Sequence, residues 1–254
     1  MNSRLSTLDS RLLFVANWKM NMTRAQARAY VRELSGLLGG KTPAVELVIA
    51  PPYTAIDAAR DSVEKARWSL AAQDVSSEAE GAFTGEISAR MLADAGCRYV
   101  LVGHSERRHL FGEEETALER KLARTREAGL TPIYCVGETQ QERAAGLAAA
   151  TLARQVEALA KDPADSPLVV AYEPVWAIGT GIAAEPADTA SARVHLAELL
   201  SHRPNLRILY GGSVAPENAR RLLETARVDG FLIGAASLKA ATFAAIAGLV
   251  GRKT

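Results

Sequence analysis

From Arg11 onward, short uniformly apolar runs alternate with longer stretches that carry an apolar residue every three or four positions. The apolar runs fall at residues 12–16, 45–50, 69–73, 99–102, 131–136, 168–172, 207–210 and 230–233. They lack the polar alternate positions of a half-exposed strand, so they predict strands buried on both faces. Between them the helical repeat predicts helices over 24–38, 54–64, 88–95, 114–127, 139–161, 186–201, 216–225 and 240–250, with an interruption allowed at Gly146. Eight strand–helix units in unbroken succession predict an α/β fold, a single closed (β/α)8 barrel over residues 11–254. A doubly wound open sheet is the competing arrangement, and eight units fit it less well. No Pro-, Gly- or Ser-rich linker divides the chain, and the polar residues 1–10 read as a loosely held N-terminal extension.

Composition narrows the partners. A chain of 254 residues with 48% hydrophobic content can bury one large core. Lys plus Arg (30) nearly cancels Asp plus Glu (29), leaving no field to draw the protein to nucleic acid or an anionic membrane. A small-molecule partner is favoured. No apolar run approaches the ~18 residues of a membrane span, and the N-terminus lacks the apolar segment of a secretory signal. Cys97 and Cys135 lie in or beside apolar runs without CxxC spacing, so they read as buried thiols of a cytoplasmic protein.

In a parallel barrel the chemistry belongs at the C-terminal ends of the strands. Those ends carry Asn17-Trp18-Lys19, Gln73-Asp74, Gly103-His104-Ser105-Glu106, Glu173, Gly211-Gly212-Ser213 and Gly234-Ala235-Ala236-Ser237. Glu173 ends an apolar strand, where a buried carboxylate is a poised base; a connector whose Glu173 caps the next helix accounts for the same residues. His104 stands where a strand meets a helix N-terminus. Backbone N–H groups aimed at its ring disfavour imidazolium, leaving a neutral electrophile, though a helix-capping histidine would look the same. Lys19 suits an anionic substrate or an oxyanion as well as it suits a surface lysine. The small residues after the last two strands let a phosphate approach the main chain, or simply make tight turns. After Pro174, residues 175–181 are too apolar for a solvated connector and too rich in glycine for a rigid element, so they read as a lid. Gly179-Thr180-Gly181-Ile182-Ala183-Ala184 matches a dinucleotide fingerprint, but it lies apart from the strand end, which counts against a nicotinamide site. A base, an electrophile, a cation, a phosphate cradle and a lid, without a metal cluster or an activated nucleophile, fit proton abstraction beside a carbonyl.

Several ordered motifs resemble those of triosephosphate isomerases. They are Asn17-Trp18-Lys19-Met20-Asn21, residues 81–88 (GAFTGEIS), Gly103-His104-Ser105-Glu106-Arg107-Arg108, Cys135-Val136-Gly137-Glu138, residues 171–181 (AYEPVWAIGTG), Tyr210-Gly211-Gly212-Ser213-Val214 and residues 230–234 (GFLIG). The resemblance implies interconversion of dihydroxyacetone phosphate and glyceraldehyde 3-phosphate, a step of glycolysis and gluconeogenesis, without cofactor or metal. It implies Glu173 as base and His104 as electrophile, the pairing known for that family. Lys19 would stabilise negative charge, Asn17 orient the substrate oxygens and Glu106 supply a second carboxylate, while Gly179, Ser213, Gly234 and Ala235 would hold the phosphate. It further implies a homodimer in which the loop from Gly81 to Glu86 brings Thr84 to Asn17 of the partner subunit. Two departures stand out: Ile182-Ala183-Ala184 in place of Lys-Thr or Lys-Ser at the lid's end, and Gly234-Ala235 in place of two glycines. A same-mechanism isomerase of a longer ketose phosphate and a catalytically silent binding barrel are the alternative functions.

Overall fold

A computed structural model describes residues 12–39, 45–178 and 184–249; the extension read at residues 1–10 lies outside the described residues. Its strands are β1 Leu13–Asn17, β2 Glu46–Ala50, β3 Ser69–Ala72, β4 Cys97–Val102, β5 Thr131–Val136, β6 Leu168–Tyr172, β7 Leu206–Tyr210 and β8 Gly230–Ile233. They pair in parallel and in chain order, and the barrel closes where Leu13 of β1 meets Gly230 of β8. Around it lie α1 Arg24–Leu37, α2 Tyr53–Lys65, α3 Ala89–Asp94, α4 Ser105–Leu110, α5 Glu115–Glu127, α6 Gln140–Ala144, α7 Ala148–Val156, α8 Pro186–Leu199, α9 Pro216–Ala226 and α10 Ala240–Ala247. The expected barrel is therefore present.

Alternation along each strand divides the core in two. Leu13, Val15, Val48, Leu101, Ile133, Cys135, Val169, Ala171, Leu209 and Leu232 fill the barrel interior. Phe14, Ala16, Tyr134, Val170 and Phe231 face outward into a larger layer under the helices, where Phe14 and Phe231 stack at 5.1 Å and Trp18 meets Tyr30 edge-on at 4.8 Å. Burying each such side chain contributes about 1.5–3 kcal/mol. A filled interior leaves no passage, so a ligand must sit at an end.

The N-terminal end is tied shut by polar groups. Arg207 donates to Glu46 and to the Tyr99 hydroxyl, and Tyr99 donates to Glu46. Burial alone would raise the Glu46 carboxyl, but these hydrogen bonds and the Arg207 charge outweigh it and hold the group below its ordinary value.

Two details differ from the helix pattern. The helical stretch over 139–161 is interrupted at Gly146, as its pattern allowed, where a φ of +71° ends α6; the difference is that α7 passes into a 3-10 turn at Glu157–Leu159. The six-residue α4, too short to show a periodic face, follows His104 directly.

Candidate active site

The inward alternation, followed to the last position of β1 and one position past β3 to β8, names the floor of the C-terminal mouth: Asn17, Gln73, Gly103, Gly137, Glu173, Gly211 and Gly234. The glycines hollow the mouth, and the three long side chains make it polar.

Glu173 is 1% exposed. Its N–H donates to the Val136 carbonyl at 2.7 Å, and its Oε2 accepts the Ser105 N–H at 2.8 Å. Glu173 does cap a helix, but the helix is α4 rather than the one that follows in the chain, since α8 takes Glu185 as its N-cap. Oε1 lies 3.2 Å from His104 Nε2, without the alignment of a hydrogen bond. A side chain at Gly211 would press on Glu173 Cγ at 2.8 Å, so only glycine leaves the carboxylate its room. Burial first, and the Glu173 charge second, push the Cys135 thiol well above its usual value.

Alternation by itself would aim His104 out of the barrel. Gly103, at φ +71°, turns the chain so that the ring enters the mouth instead. His104 is the N-cap of α4, 6% exposed, and its Nδ1 accepts the Glu106 N–H at 3.2 Å. A ring nitrogen that accepts carries no proton, so Nε2, which faces Glu173, is the N–H of a neutral ring.

Lys19 reaches the mouth by a turn and not by strand alternation, which stops with β1 at Asn17. Its φ is +49°, a left-handed backbone that costs a non-glycine residue roughly 1–3 kcal/mol and persists only where neighbours hold it. Asn17 Oδ1 accepts its N–H at 3.0 Å, and Gln73 Nε2 donates both to its carbonyl at 2.9 Å and to that of Ala50 at 2.8 Å. Gln73, among the strand-end residues but not assigned a role above, is thus what fixes the lysine. Lys19 Nζ pairs with Glu106 Oε1 at 2.6 Å.

The two small-residue turns differ in use. Gly234 lies beside the Lys19 stem, 3.2 Å from Cε to where a Cβ would stand, and Ala235 opens a 3-10 turn with an exposed side chain. Ser213 Oγ donates to the Ala177 carbonyl at 2.9 Å, fastening the segment after Glu173. Gly179, Ile182 and Ala183 lie outside the described residues. At the segment's far side, the Ala184 N–H donates to the Tyr210 hydroxyl at 3.1 Å, and a Cβ at Gly212 would overlap that hydroxyl. At its near side, Glu138 accepts from Trp176 Nε1 at 2.8 Å and from the Tyr172 hydroxyl at 3.1 Å, while Arg143 stacks on Trp176 at 4.3 Å. Arg143 gave no local signal in the sequence and Tyr210 stood in a motif without a role of its own, because each acts on a partner distant in the chain. Thr84 is exposed in a single chain.

Among the described residues, no group of three or more His, Cys, Asp and Glu could hold a metal ion, and no helix is long and apolar enough to cross a membrane. Fold and mouth together define a (β/α)8-barrel enzyme with its polar groups gathered at the C-terminal ends of the strands. The family model for triosephosphate isomerase matches residues 12–250. Similar proteins include the triosephosphate isomerases of Nitratidesulfovibrio vulgaris (46% identical, covering 92% of this chain and 98% of that one) and of Thermus thermophilus (42%, covering 95% and 99%). That of Chloroflexus aurantiacus is 46% identical over 91% of this chain and 96% of its own length. The chain belongs to the triosephosphate isomerase family, and it is an isomerase.

Proposed function

We propose that this isomerase interconverts dihydroxyacetone phosphate and D-glyceraldehyde 3-phosphate through an enediol(ate), with Glu173 as the base. The observation that carries the reading is the meeting of Glu173 and His104, from the ends of β6 and β4 and 69 positions apart in the chain, at 3.2 Å in one mouth. Glu173 takes a proton from the hydroxyl-bearing carbon beside the carbonyl, and the C–H electron pair becomes the carbon–carbon double bond as the C=O pair moves onto oxygen. The hydroxyl proton passes to that oxygen by way of His104, and the carboxylic acid returns its proton to the former carbonyl carbon as the new carbonyl forms. His104 Nε2–H donates to the carbonyl oxygen as charge builds there, which a neutral ring does without surrendering a full positive charge. Lys19 balances the charge on the other side, Asn17 holds Lys19 and the substrate oxygens, and Glu106 anchors both the lysine and the imidazole. Gly179, Ser213, Gly234 and Ala235 bind the phosphate, with Lys19 close by.

In the geometry described, Glu173 Oε2 is engaged by the Ser105 N–H and is held away from a substrate carbon. Pro174 follows Glu173 directly, so a shift of residues 175–184 over bound phosphate moves the base off that hydrogen bond and excludes water. The Glu173→Asp enzyme, assayed in both directions with a coupled assay, is expected to keep its KM and lose roughly 100-fold in kcat, the scale of an ångström misplacement. Unchanged turnover rules out the assignment.

The working unit is a homodimer in the cytoplasm. Met20, Tyr53, Phe83, Met91, Leu110 and Phe111 are all at least 38% exposed and lie on the segments that follow β1, β2, β3 and β4, which are neighbours in the barrel. Such an apolar band fits a second copy of this chain, whose loop from Gly81 to Glu86 would carry Thr84 to Asn17 of the partner subunit.

A further inference from the structure

We infer that Gln155, on the outer face of the barrel, is a positioning residue for Glu173. The inference rests on the assignment of Glu173 as the base.

Gln155 lies on α7, is 5% exposed, and does not face the mouth. Both ends of its amide are spent on one residue: Oε1 accepts the Gly137 N–H at 2.8 Å, and Nε2 donates to the Gly137 carbonyl at 3.2 Å. β5 ends at Val136, and although the Val175 N–H still donates to the Glu138 carbonyl at 3.1 Å, the N–H and carbonyl of Gly137 itself are taken by the glutamine, which stands in for a neighbouring strand at that position.

What Gly137 touches makes the clamp matter. A Cβ at Gly137 would overlap the Glu173 carbonyl oxygen, so the Gly137 α-carbon rests directly against the main chain of the base. Glu173 is otherwise bracketed by the sheet, through its N–H to Val136, and by Gly211 beneath its side chain. Gly137 is the one wall of this bracket that is held by a side chain from outside. That side chain is itself fixed on the helix. Tyr134 donates to the Gln155 main-chain carbonyl at 2.9 Å, and Arg108 donates to the Tyr134 hydroxyl at 3.1 Å. Arg108 also donates to the carbonyl of Gly103 at 2.8 Å, the residue that aims His104. One buried network thus sets where both reacting groups stand without touching the substrate.

Gln155→Glu and Gln155→Leu test this. Gln155→Leu removes both hydrogen bonds. Gln155→Glu keeps the shape, and its acid form restores both, since the carbonyl accepts from Gly137 N–H and the O–H donates to the Gly137 carbonyl. A buried carboxyl titrates above its ordinary value. Both variants are expected to lose roughly 10-fold or more in kcat at pH 8, with KM and inhibition by inorganic phosphate unchanged. The Gln155→Glu deficit relative to the parent should shrink as the pH is lowered towards 6. On a Glu173→Asp background, Gln155→Leu should cost less than 3-fold, because the base is already misplaced. Parent-like kcat, additive losses, or a phosphate constant that moves in step with kcat would overturn the inference, and Gln155→Glu carries the test if the leucine variant does not fold. The controls separate it from the wider reading: no turnover by the parent, or full turnover by Glu173→Asp, ends the assignment of the base and this inference with it.

Discussion

At the scale of single residues, burial decides which groups react. Cys97 is 6% exposed, and burial pushes its thiol up to about 12. A thiol raised in the folded state stays protonated while the unfolded chain ionises, so its contribution to stability is complete below about pH 8.5, the unperturbed value, and is lost as the pH climbs towards 12. Native protein should therefore resist iodoacetamide at pH 8.5 at both Cys97 and Cys135, whereas protein unfolded in guanidinium should be labelled twice, as mass spectrometry would read. Rapid labelling of native Cys97 would contradict the packing of β4. The sequence made these thiols legible through their apolar neighbours. It hid Lys121 and Arg203, both 5% exposed, because a charged residue in a helical pattern or in a connector reads as surface. Their carboxylate partners, Asp74 and Glu113 for Lys121 and Asp162 for Arg203, lie at separations no local pattern encodes.

Among elements, strands were easier to read than the devices that aim side chains at their ends. β5, β6 and β8 run over the residues the apolar pattern predicts, since a strand buried on both faces has no polar position to blur its limits. The turn after β4 was harder. Sequence placed His104 at a helix start, but only Gly103's left-handed backbone explains why the ring points inward. The lid shows the same division. Its composition marked it, while its fastenings come from two other strand ends, Tyr210 and Ser213 at β7 and Glu138 after β5. Of these, the Tyr210 hydroxyl is the simplest to remove: Tyr210→Phe takes an acceptor from the Ala184 N–H, and from the main chain of Ser213, without touching Glu173. Losing one such hydrogen bond costs about 0.5–1.5 kcal/mol, so the closed lid should be less populated, kcat should fall about 2- to 10-fold, and proteolytic nicking near residue 184 should quicken. Unaltered kcat and nicking would mean that the hydroxyl does not hold the lid.

For the whole molecule, the arrangement of exposed apolar side chains turns fold into assembly. A closed barrel has no free sheet edge, so association has to use loops or helices. The segments after β1, β3 and β4 carry the large exposed hydrophobics Met20, Phe83, Met91, Leu110 and Phe111, and in the same quarter Lys19 keeps a backbone strained at φ +49°. With a formal net charge of +1, two copies meet little mutual repulsion. A partner seated there would cover the band and press the Gly81–Glu86 loop against the lysine turn, tying the strain at the active site to the interface. Phe83→Asp combined with Leu110→Asp should therefore shift the protein from a two-chain to a one-chain species in sedimentation equilibrium. Turnover should fall with dissociation, although every side chain assigned to the reaction is intact. The parent should show the same coupling on dilution, with specific activity dropping over the concentration range in which its mass halves. A single-chain parent with full turnover would detach the band from catalysis and leave the Lys19 turn held by Asn17 and Gln73 alone.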